Sequence, residues 1–253
     1  MFEILKSQYA FKMIIKDYLD EKRYLSLFKY NKKYQKILEI TLKDYEKKFL
    51  QIEIELVLKN PLIEEENIFV QIKENNQKAI HIYINNKEEN KNSIKKDEYN
   101  NTTKIKLVLD YNVFSFAGLF RNCKCIQEIN FIKFNKEFIL DMYEMFKGCE
   151  SLSKLNVSKF KTQYVSDMGG MFYGCSSLQE LDLSNFIFDN VNNTFEMFAF
   201  CTSLKKLNLN NFKVTEQMNT RFMFSHCLEE LKTEIMKKFK DLKETSYWDY
   251  VEE

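Results

Sequence analysis

The hydrophobic positions between residues 113 and 227 recur with a constant step of 26 residues. A cysteine column, a phenylalanine column three residues before it and a leucine or methionine column immediately before the phenylalanine keep one register through five copies. The two longest columns are Cys123, Cys149, Cys175, Cys201 and Cys227, and Phe120, Phe146, Phe172, Phe198 and Phe224. One copy is too short to bury its own apolar face, so this period predicts stacked copies around one continuous core.

Each copy contains two hydrophobic patterns. Apolar residues at helical spacing open the third copy and predict a short helix with one buried face: Val165, Met168, Met171, Phe172 and Cys175. The LxxLxL segment that follows, residues 178–183, ends in the alternation of a strand. The repeat therefore predicts strand plus short helix coils.

The full pattern of residues 165–186, VSDMGGMFYGCSSLQELDLSNF, closely resembles the BspA-like leucine-rich repeat family of bacterial and protist proteins. The resemblance covers about 113–227 and implies a curved α/β solenoid, a leucine-rich-repeat-like stack with helical amino- and carboxy-terminal caps. It also implies a role in binding other molecules, without chemistry of its own. Ordinary leucine-rich repeats carry an asparagine three residues after the last leucine, whereas this chain has a column that predicts core-filling rings: Phe134, Phe160, Phe186 and Phe212.

Two alternatives stand for residues 1–50, where apolar positions keep helical spacing. The order of apolar and basic residues in FKMIIKDYLDEKRYLSLFKYNKKYQKIL resembles an F-box, which implies docking to a ubiquitin-ligase adaptor. The other interpretation is a helical cap that covers the first coil of the stack, as repeat arrays require.

The segments on either side of the repeats have different patterns. Residues 51–104 alternate apolar and polar positions, which predicts strands of either degenerate coils or a small cap sheet, and residues 85–104 predict a polar, solvated, mobile loop. The repeats are expected over 105–227 and a capping helix with a tail over 228–253. Apolar residues at helical spacing define that helix: Leu228, Leu231, Ile235, Phe239 and Leu242. The aromatic tail, Tyr247, Trp248 and Tyr250, either folds back on the cap or serves as a docking peptide.

Composition narrows the functional classes. A net charge of +1 in 253 residues gives no basic excess, so nucleic acid is not an expected partner. No uninterrupted run of about 18 apolar residues occurs, so we expect no membrane insertion. The amino terminus lacks the apolar core of a secretion signal, which favours an intracellular, cytoplasmic location and free thiols.

The cysteine column is the main candidate for chemistry. Its cysteines share an apolar face with methionine and phenylalanine, where a thiol behaves as a small hydrophobe, so we interpret it as core rather than as a metal or redox site. The two histidines have no evident partner, and no nucleophile or phosphate-binding motif is present. We expect no enzymatic activity, no cofactor and no metal.

The outward positions of the strands remain as the candidate binding surface. They form rows from one copy to the next: Glu128 and Asn130, Lys154 and Asn156, Glu180 and Asp182, Lys206 and Asn208. Their alternating charge either pairs neighbouring coils or offers a contact surface. The leading hypothesis is a non-enzymatic module that binds a protein partner through this face, and the alternatives are a ubiquitin-ligase substrate receptor and a cell-surface adhesin.

Overall fold

A computed structural model describes residues 51–248 apart from 63, 101, 111–112, 135 and 137, and apart from the side chains of 74–76. The F-box-like segment and Tyr250 lie outside the described residues. The described chain has ten strands, β1 (Ile52–Leu58), β2 (Glu66–Ile68), β3 (Ile80–Ile84), β4 (Lys87–Glu89), β5 (Ser93–Lys95), β6 (Ile105–Leu109), β7 (Ile126–Lys133), β8 (Lys154–Leu155), β9 (Glu180–Asp182) and β10 (Lys206–Asn208). It also has one α-helix, α1 (Glu229–Lys238), and two 3-10 helices, η1 (Glu74–Ala79) and η2 (Glu244–Ser246).

Four of the strands before the repeats, β1, β3, β4 and β6, form an antiparallel sheet, here called the cap sheet, and β2 pairs antiparallel with β5 in a separate sheet. Strand β1 pairs antiparallel with β6 on one side and with β7, the first strand of the repeats, on the other. The full order is β4-β3-β6-β1-β7-β8, and only the β7–β8 pair is parallel. The alternation that predicted strands also predicts their buried side, since Ile52, Ile54, Leu56 and Leu58 are all buried. Antiparallel pairing corresponds to a small cap sheet rather than to degenerate coils.

Two expectations for this part of the chain were wrong. Strand β6 was expected to open the repeats at residue 105, but it lies antiparallel between β1 and β3, so the first repeat strand is β7. Residues 85–104 were expected to form a solvated loop, but they contain β4 and β5. Two isolated apolar residues anchor this polar segment: Ile94 is buried, and the Tyr99 hydroxyl donates to the Leu58 carbonyl at 3.0 Å.

The short helix expected in each repeat is instead a series of tight turns. Among the described residues, no helix is present between 114 and 228. Two positions in every repeat have positive φ, which a right-handed helix does not allow. They form two columns with the 26-residue step: Gly118, Glu144, Gly170, Glu196 and Phe222, and Asn122, Gly148, Gly174, Phe200 and His226. The apolar residues of each repeat lie about three apart because each turn is about three residues long, which resembles the spacing of a helix.

The backbone hydrogen bonds of these turns explain how the repeats stack. Within the turns, alternate amides donate to the carbonyl three residues earlier, and the amides between them donate to the next repeat. The amide of Phe146, for example, donates to the Met171 carbonyl at 2.9 Å, and the amide of Phe172 donates to the Met197 carbonyl at the same distance. The turns thus satisfy their buried amides through a neighbouring copy, as a sheet does.

The interior of the stack contains two columns of rings. The rings of Phe120, Phe146, Phe172, Phe198 and Phe224 are stacked, with centroids 5.4–5.8 Å apart. The predicted second column also lies in the core, where Phe134 and Phe160 stack at 4.4 Å and Phe160 and Phe186 at 6.2 Å. The structure shows repeats that stack on one another through backbone hydrogen bonds. That this stack is a leucine-rich-repeat solenoid stays a prediction.

The carboxy-terminal segment continues the stack without being a repeat. Helix α1 buries Leu231 and Ile235 and ends before Phe239, earlier than the apolar spacing predicted. Residues 245–247 then take the place of the missing turn segment. The amide of Phe224 donates to the Ser246 carbonyl at 2.9 Å, and the Tyr247 ring stacks on Phe224 at 5.7 Å. Tyr247 therefore folds back as the sixth ring of the column, whereas Trp248 is exposed.

Candidate binding surface on the repeat stack

The predicted site residues lie on the outer side of the strands, and the ladder brings them together in pairs. Parallel pairing places Glu128 beside Lys154 and Glu180 beside Lys206. The Lys154 Nζ atom lies 3.6 Å from Glu128 Oε2, and the Lys206 Nζ atom lies 2.5 Å from Glu180 Oε1. The alternating charge therefore forms ion pairs between neighbouring repeats, which largely neutralises the first row of the face.

The second row consists of Asn130, Asn156, Asp182 and Asn208, and its polar atoms are partly used locally. The Asn130 amide donates to Glu128 Oε1 at 3.0 Å. The Asn156 side-chain oxygen accepts from the Ser158 amide at 3.0 Å, and Asp182 accepts from the Ser184 amide at 2.9 Å. That backbone hydrogen bond lowers the pKa of Asp182, so the carboxylate is charged at neutral pH. Asn156 and Asp182 are exposed, and Asp182 also accepts hydrogen bonds from the Ser184 and Asn208 side chains.

The eight residues form two blocks rather than one continuous face. Strand β8 pairs with β7, and β9 pairs with β10, but no ladder joins β8 to β9. One block contains Glu128, Asn130, Lys154 and Asn156, and the other contains Glu180, Asp182, Lys206 and Asn208. The sequence period predicted the rows correctly but not the interruption between them.

A polar ladder on the stack was missed by the analysis of hydrophobic columns. Single parallel bridges join successive members of one column: Ser115, Asp141, Asp167, Asn193 and Asn219. Each side-chain oxygen accepts the amide two residues later, as Asp167 does from Gly169 at 2.8 Å. The Asn193 amide also donates to Asp167 Oδ1 at 2.9 Å. The signal was available, because this column has the same 26-residue step as the cysteines.

The cysteine column belongs to the core, as predicted. All six cysteines are buried, and none of them forms a disulfide within the described part of the chain. The thiols of Cys149, Cys175, Cys201 and Cys227 donate to the phenylalanine carbonyl of the preceding repeat at 3.1–3.2 Å. Burial raises the pKa of the Cys149, Cys175 and Cys201 thiols well above its usual range, so these thiols stay protonated. Within the described residues, no group of three or more His, Cys, Asp or Glu side chains has the arrangement of a metal site.

Both histidines have partners, which the sequence did not indicate. His81 Nδ1 lies 2.9 Å from Glu88 Oε1, and its Nε2 lies 3.6 Å from Asp110 Oδ2. His226 Nδ1 lies 2.8 Å from the Ser225 hydroxyl, and its ring stacks on Phe200 at 4.2 Å. These contacts account for both rings as parts of the fold.

A groove of about 510 Å³ lies between residues 59–68 and the turns of the first repeats. Its lining is mixed in charge, with Lys59, Glu64, Lys124 and Glu150 among the side chains. Lys124 Nζ pairs with Glu150 Oε1 at 3.0 Å, so two of these charges are already matched on the repeat side of the groove.

The geometry of the repeats agrees with one comparison. Residues 114–238 match the model of a family described as "Mycoplasma protein of unknown function, DUF285". The match covers nearly the whole described repeat stack together with α1, and just under half of the chain. No F-box match was found. No curated protein and no solved structure matches this chain.

One finding bears on membrane insertion. Among the described residues, no helix has the length and apolar character needed to cross a bilayer.

Proposed function

We propose that the chain is a protein-binding module of the BspA-like leucine-rich repeat type, without enzymatic activity, and that a protein partner docks on the two strand blocks. The single observation that supports this most is the strand face itself. Successive repeats present outward polar residues in register on a backbone that a shared core makes rigid. Rigid, repeated and outward-facing positions are the features through which repeat proteins bind their partners.

The ion pairs on this face do not remove its capacity for recognition. Exposed pairs contribute only about 0–1 kcal/mol to stability, so they are weak reasons for the fold to keep them. A partner that inserts opposite charges between Glu180 and Lys206 exchanges one exposed pair for two intermolecular ones. The exposed oxygens of Asn156 and Asp182 provide further acceptors for backbone amides of a partner.

The experiment compares proteins recovered by the tagged full chain and by two variants of the second block. Glu180→Lys combined with Lys206→Glu keeps the ion pair between the repeats but exchanges its ends. Asp182→Ala combined with Asn208→Ala removes the second row. We expect the charge exchange to unfold at the same denaturant concentration as the parent. The alanine pair removes the hydrogen bonds of Asp182 and should lose about 1 kcal/mol while staying folded. Both double variants should lose a partner that the parent retains. Mass spectrometry identifies the proteins recovered.

The control is Lys237→Ala, which removes an exposed charge from α1 and leaves the eight residues of the two blocks unchanged. This control should recover the same proteins as the parent. If the charge exchange and the alanine pair both retain every protein that the parent binds, the second strand block is not the binding surface.

A further inference from the structure

The side chains at one edge of the repeats change character along the stack. Two columns lie here, where each repeat leads into its turn segment, and we call the members in the first two repeats the apolar corner: Phe114, Phe138, Leu140 and Tyr164. The equivalent residues of the next two repeats are all polar: Ser166, Asn190, Asn192 and Glu216. Both sets are exposed, with the apolar corner at 44–51% of full exposure.

The fold does not require apolar residues at these positions. The Leu140 amide donates to the Phe114 carbonyl at 3.0 Å, and the Ser166 amide donates to the Leu140 carbonyl at 3.3 Å. The Asn192 amide then donates to the Ser166 carbonyl at 3.0 Å. The backbone pairing in this column is thus the same whether the side chain is apolar or polar, so it does not explain the apolar side chains of Phe114 and Leu140.

The members of the apolar corner form one surface. The rings of Phe138 and Tyr164 stack across neighbouring repeats, with centroids 5.0 Å apart and planes 22° from parallel. Phe114 and Leu140 are joined through their backbones, and Leu140 follows Phe138 by two residues. A contiguous exposed patch of large apolar side chains is the feature that marks a protein interaction site, whereas single exposed apolar residues are ordinary.

The charge beside the corner is positive. Residues 133–138 and 159–164, which lead into it, carry four lysines and one glutamate. The equivalent residues of the next two repeats, 185–190 and 211–216, carry one lysine and two acidic residues. Lys159 donates to the Phe131 and Ile132 carbonyls at 3.1 and 3.0 Å, contacts that leave its charge in place. Lys136 is buried, with Nζ 4.0 Å from the centroid of the Phe114 ring, and burial lowers its pKa to about 8, so the charge offered to a partner comes from Lys133, Lys159 and Lys161.

Exposed apolar side chains at these positions and a net positive charge beside them therefore coincide in the first two repeats, and neither is found at the equivalent positions of the next two. We propose that the apolar corner binds an acidic peptide segment of a partner protein, with aliphatic or aromatic side chains against the Phe138 and Tyr164 rings and carboxylates towards the lysines. The charge complementarity selects this occupant over a basic peptide. The inference concerns a surface separate from the strand blocks and does not depend on them.

The test uses the full chain and three labelled short peptides in a fluorescence-anisotropy titration. The first peptide alternates glutamate and leucine, the second has lysine for every glutamate, and the third has serine for every leucine. We expect only the first to bind, and to bind less tightly as salt is added, because lysine and glutamate charges are screened over about 10 Å at 0.1 M ionic strength.

The decisive variant is Leu140→Ser combined with Tyr164→Asn, which gives the second repeat the residues that the third repeat carries. We expect it to weaken binding of the acidic peptide about tenfold, or about 1.4 kcal/mol. The matched control, Ser166→Ala combined with Asn192→Ala at the equivalent exposed positions of the next two repeats, should bind as the parent does. All substituted side chains are exposed, and the unfolding midpoints of both variants should stay unchanged.

Several results would overturn the proposal. Equal affinity of the Leu140→Ser, Tyr164→Asn variant and the parent for the acidic peptide would do so, as would equal binding of the lysine peptide. The same holds if the acidic peptide does not bind. Two further measurements identify another occupant: loss of binding to phosphatidylserine vesicles in the variant would indicate a membrane surface. Loss of self-association in sedimentation would indicate a second copy of the chain.

Discussion

The repeat stack and the cap sheet satisfy their buried backbone groups in different ways. In the stack, the backbone amides of each turn donate to carbonyls of the equivalent turn in the next repeat. The Phe146 amide donates to the Met171 carbonyl, and the Phe172 amide donates to the Met197 carbonyl. In the cap sheet, β1 pairs antiparallel with two strands of unrelated sequence, β6 and β7. Where the neighbour is a copy, a sequence period predicts contacts, but where it is not, the period gives no information about pairing.

The largest expected loss of stability follows from removal of a ring at the centre of the stack. Phe172 is fully buried between Phe146 at 5.5 Å and Phe198 at 5.7 Å. Phe172→Ala should lower the free energy of unfolding by about 3–5 kcal/mol, because it opens a cavity that neighbouring repeats on both sides cannot fill. Urea unfolding followed by circular dichroism measures this. A loss below about 1 kcal/mol would mean that the ring column does not hold the repeats together.

The equivalent test in the cap region uses Ile94, which was expected in a loop but is buried. Ile94→Ala should cost about 2–5 kcal/mol, since it removes a large side chain from the core. Ile68 lies on β2, which pairs with β5, and is 43% exposed, so Ile68→Ala is the matched control and should cost under about 1 kcal/mol. Equal small effects of both substitutions would restore the solvated-loop interpretation.

At the carboxy-terminal end of the stack, the expected changes in the free energy of unfolding are smaller and differ in sign between substitutions. Tyr247→Ala should cost about 3 kcal/mol, since it exposes the Phe224 ring, whereas Trp248→Ala, at an exposed position, should cost little. The buried Tyr247 hydroxyl has no hydrogen-bond partner among the described residues, and burial raises its pKa to about 12. Tyr247→Phe removes this unpaired group and should be neutral or stabilising. A loss of stability in Tyr247→Phe would show that the hydroxyl has a partner.

Protonation gives a further difference between these variants. The Tyr247 pKa is raised in the folded chain above its unfolded value of about 10, so its contribution to stability is complete below pH 10. As pH rises from about 10 towards 12, the unfolded state releases the proton first and stability falls. The fall should be less steep in Tyr247→Phe by up to about 1.4 kcal/mol per pH unit, measured by unfolding at several pH values.

The smallest expected change in stability comes from a substitution in the strand blocks. Lys206→Ala removes the exposed pair with Glu180 and should change the free energy of unfolding by less than about 1 kcal/mol. A much larger loss would assign the pair to the fold and would argue against its proposed use in recognition.

The accuracy of the sequence analysis followed the same division between copies and unrelated neighbours. The cysteine and phenylalanine columns were located correctly because each neighbour repeats the same residue at a fixed step. The short helices were wrong because turns of about three residues and a helix both place apolar residues three apart. Only the backbone shows that Gly118 and Asn122 have positive φ. Tyr247 escaped detection as the sixth ring because it follows Phe224 by 23 residues rather than 26.

The candidate surfaces show the same limit. The rows of the strand face could be predicted from the period, but the break between β8 and β9 depends on backbone pairing that side chains do not specify. The apolar corner went unnoticed because Phe138 and Leu140 do not recur in the later repeats. A search for repeated residues discards such differences, although functional surfaces on a repeat stack need not repeat.

The central claim is that the cysteines form one column within a core that the repeats share. Thiol labelling tests this claim most directly. The folded chain is treated with iodoacetamide at pH 8, and labelling of Cys149, Cys175 and Cys201 is followed by mass spectrometry. We predict no labelling of these three until urea unfolds the chain, and then labelling of all three at one denaturant concentration. Rapid labelling of any of them in the folded chain, or labelling at separate concentrations, would contradict a single core that the repeats build together.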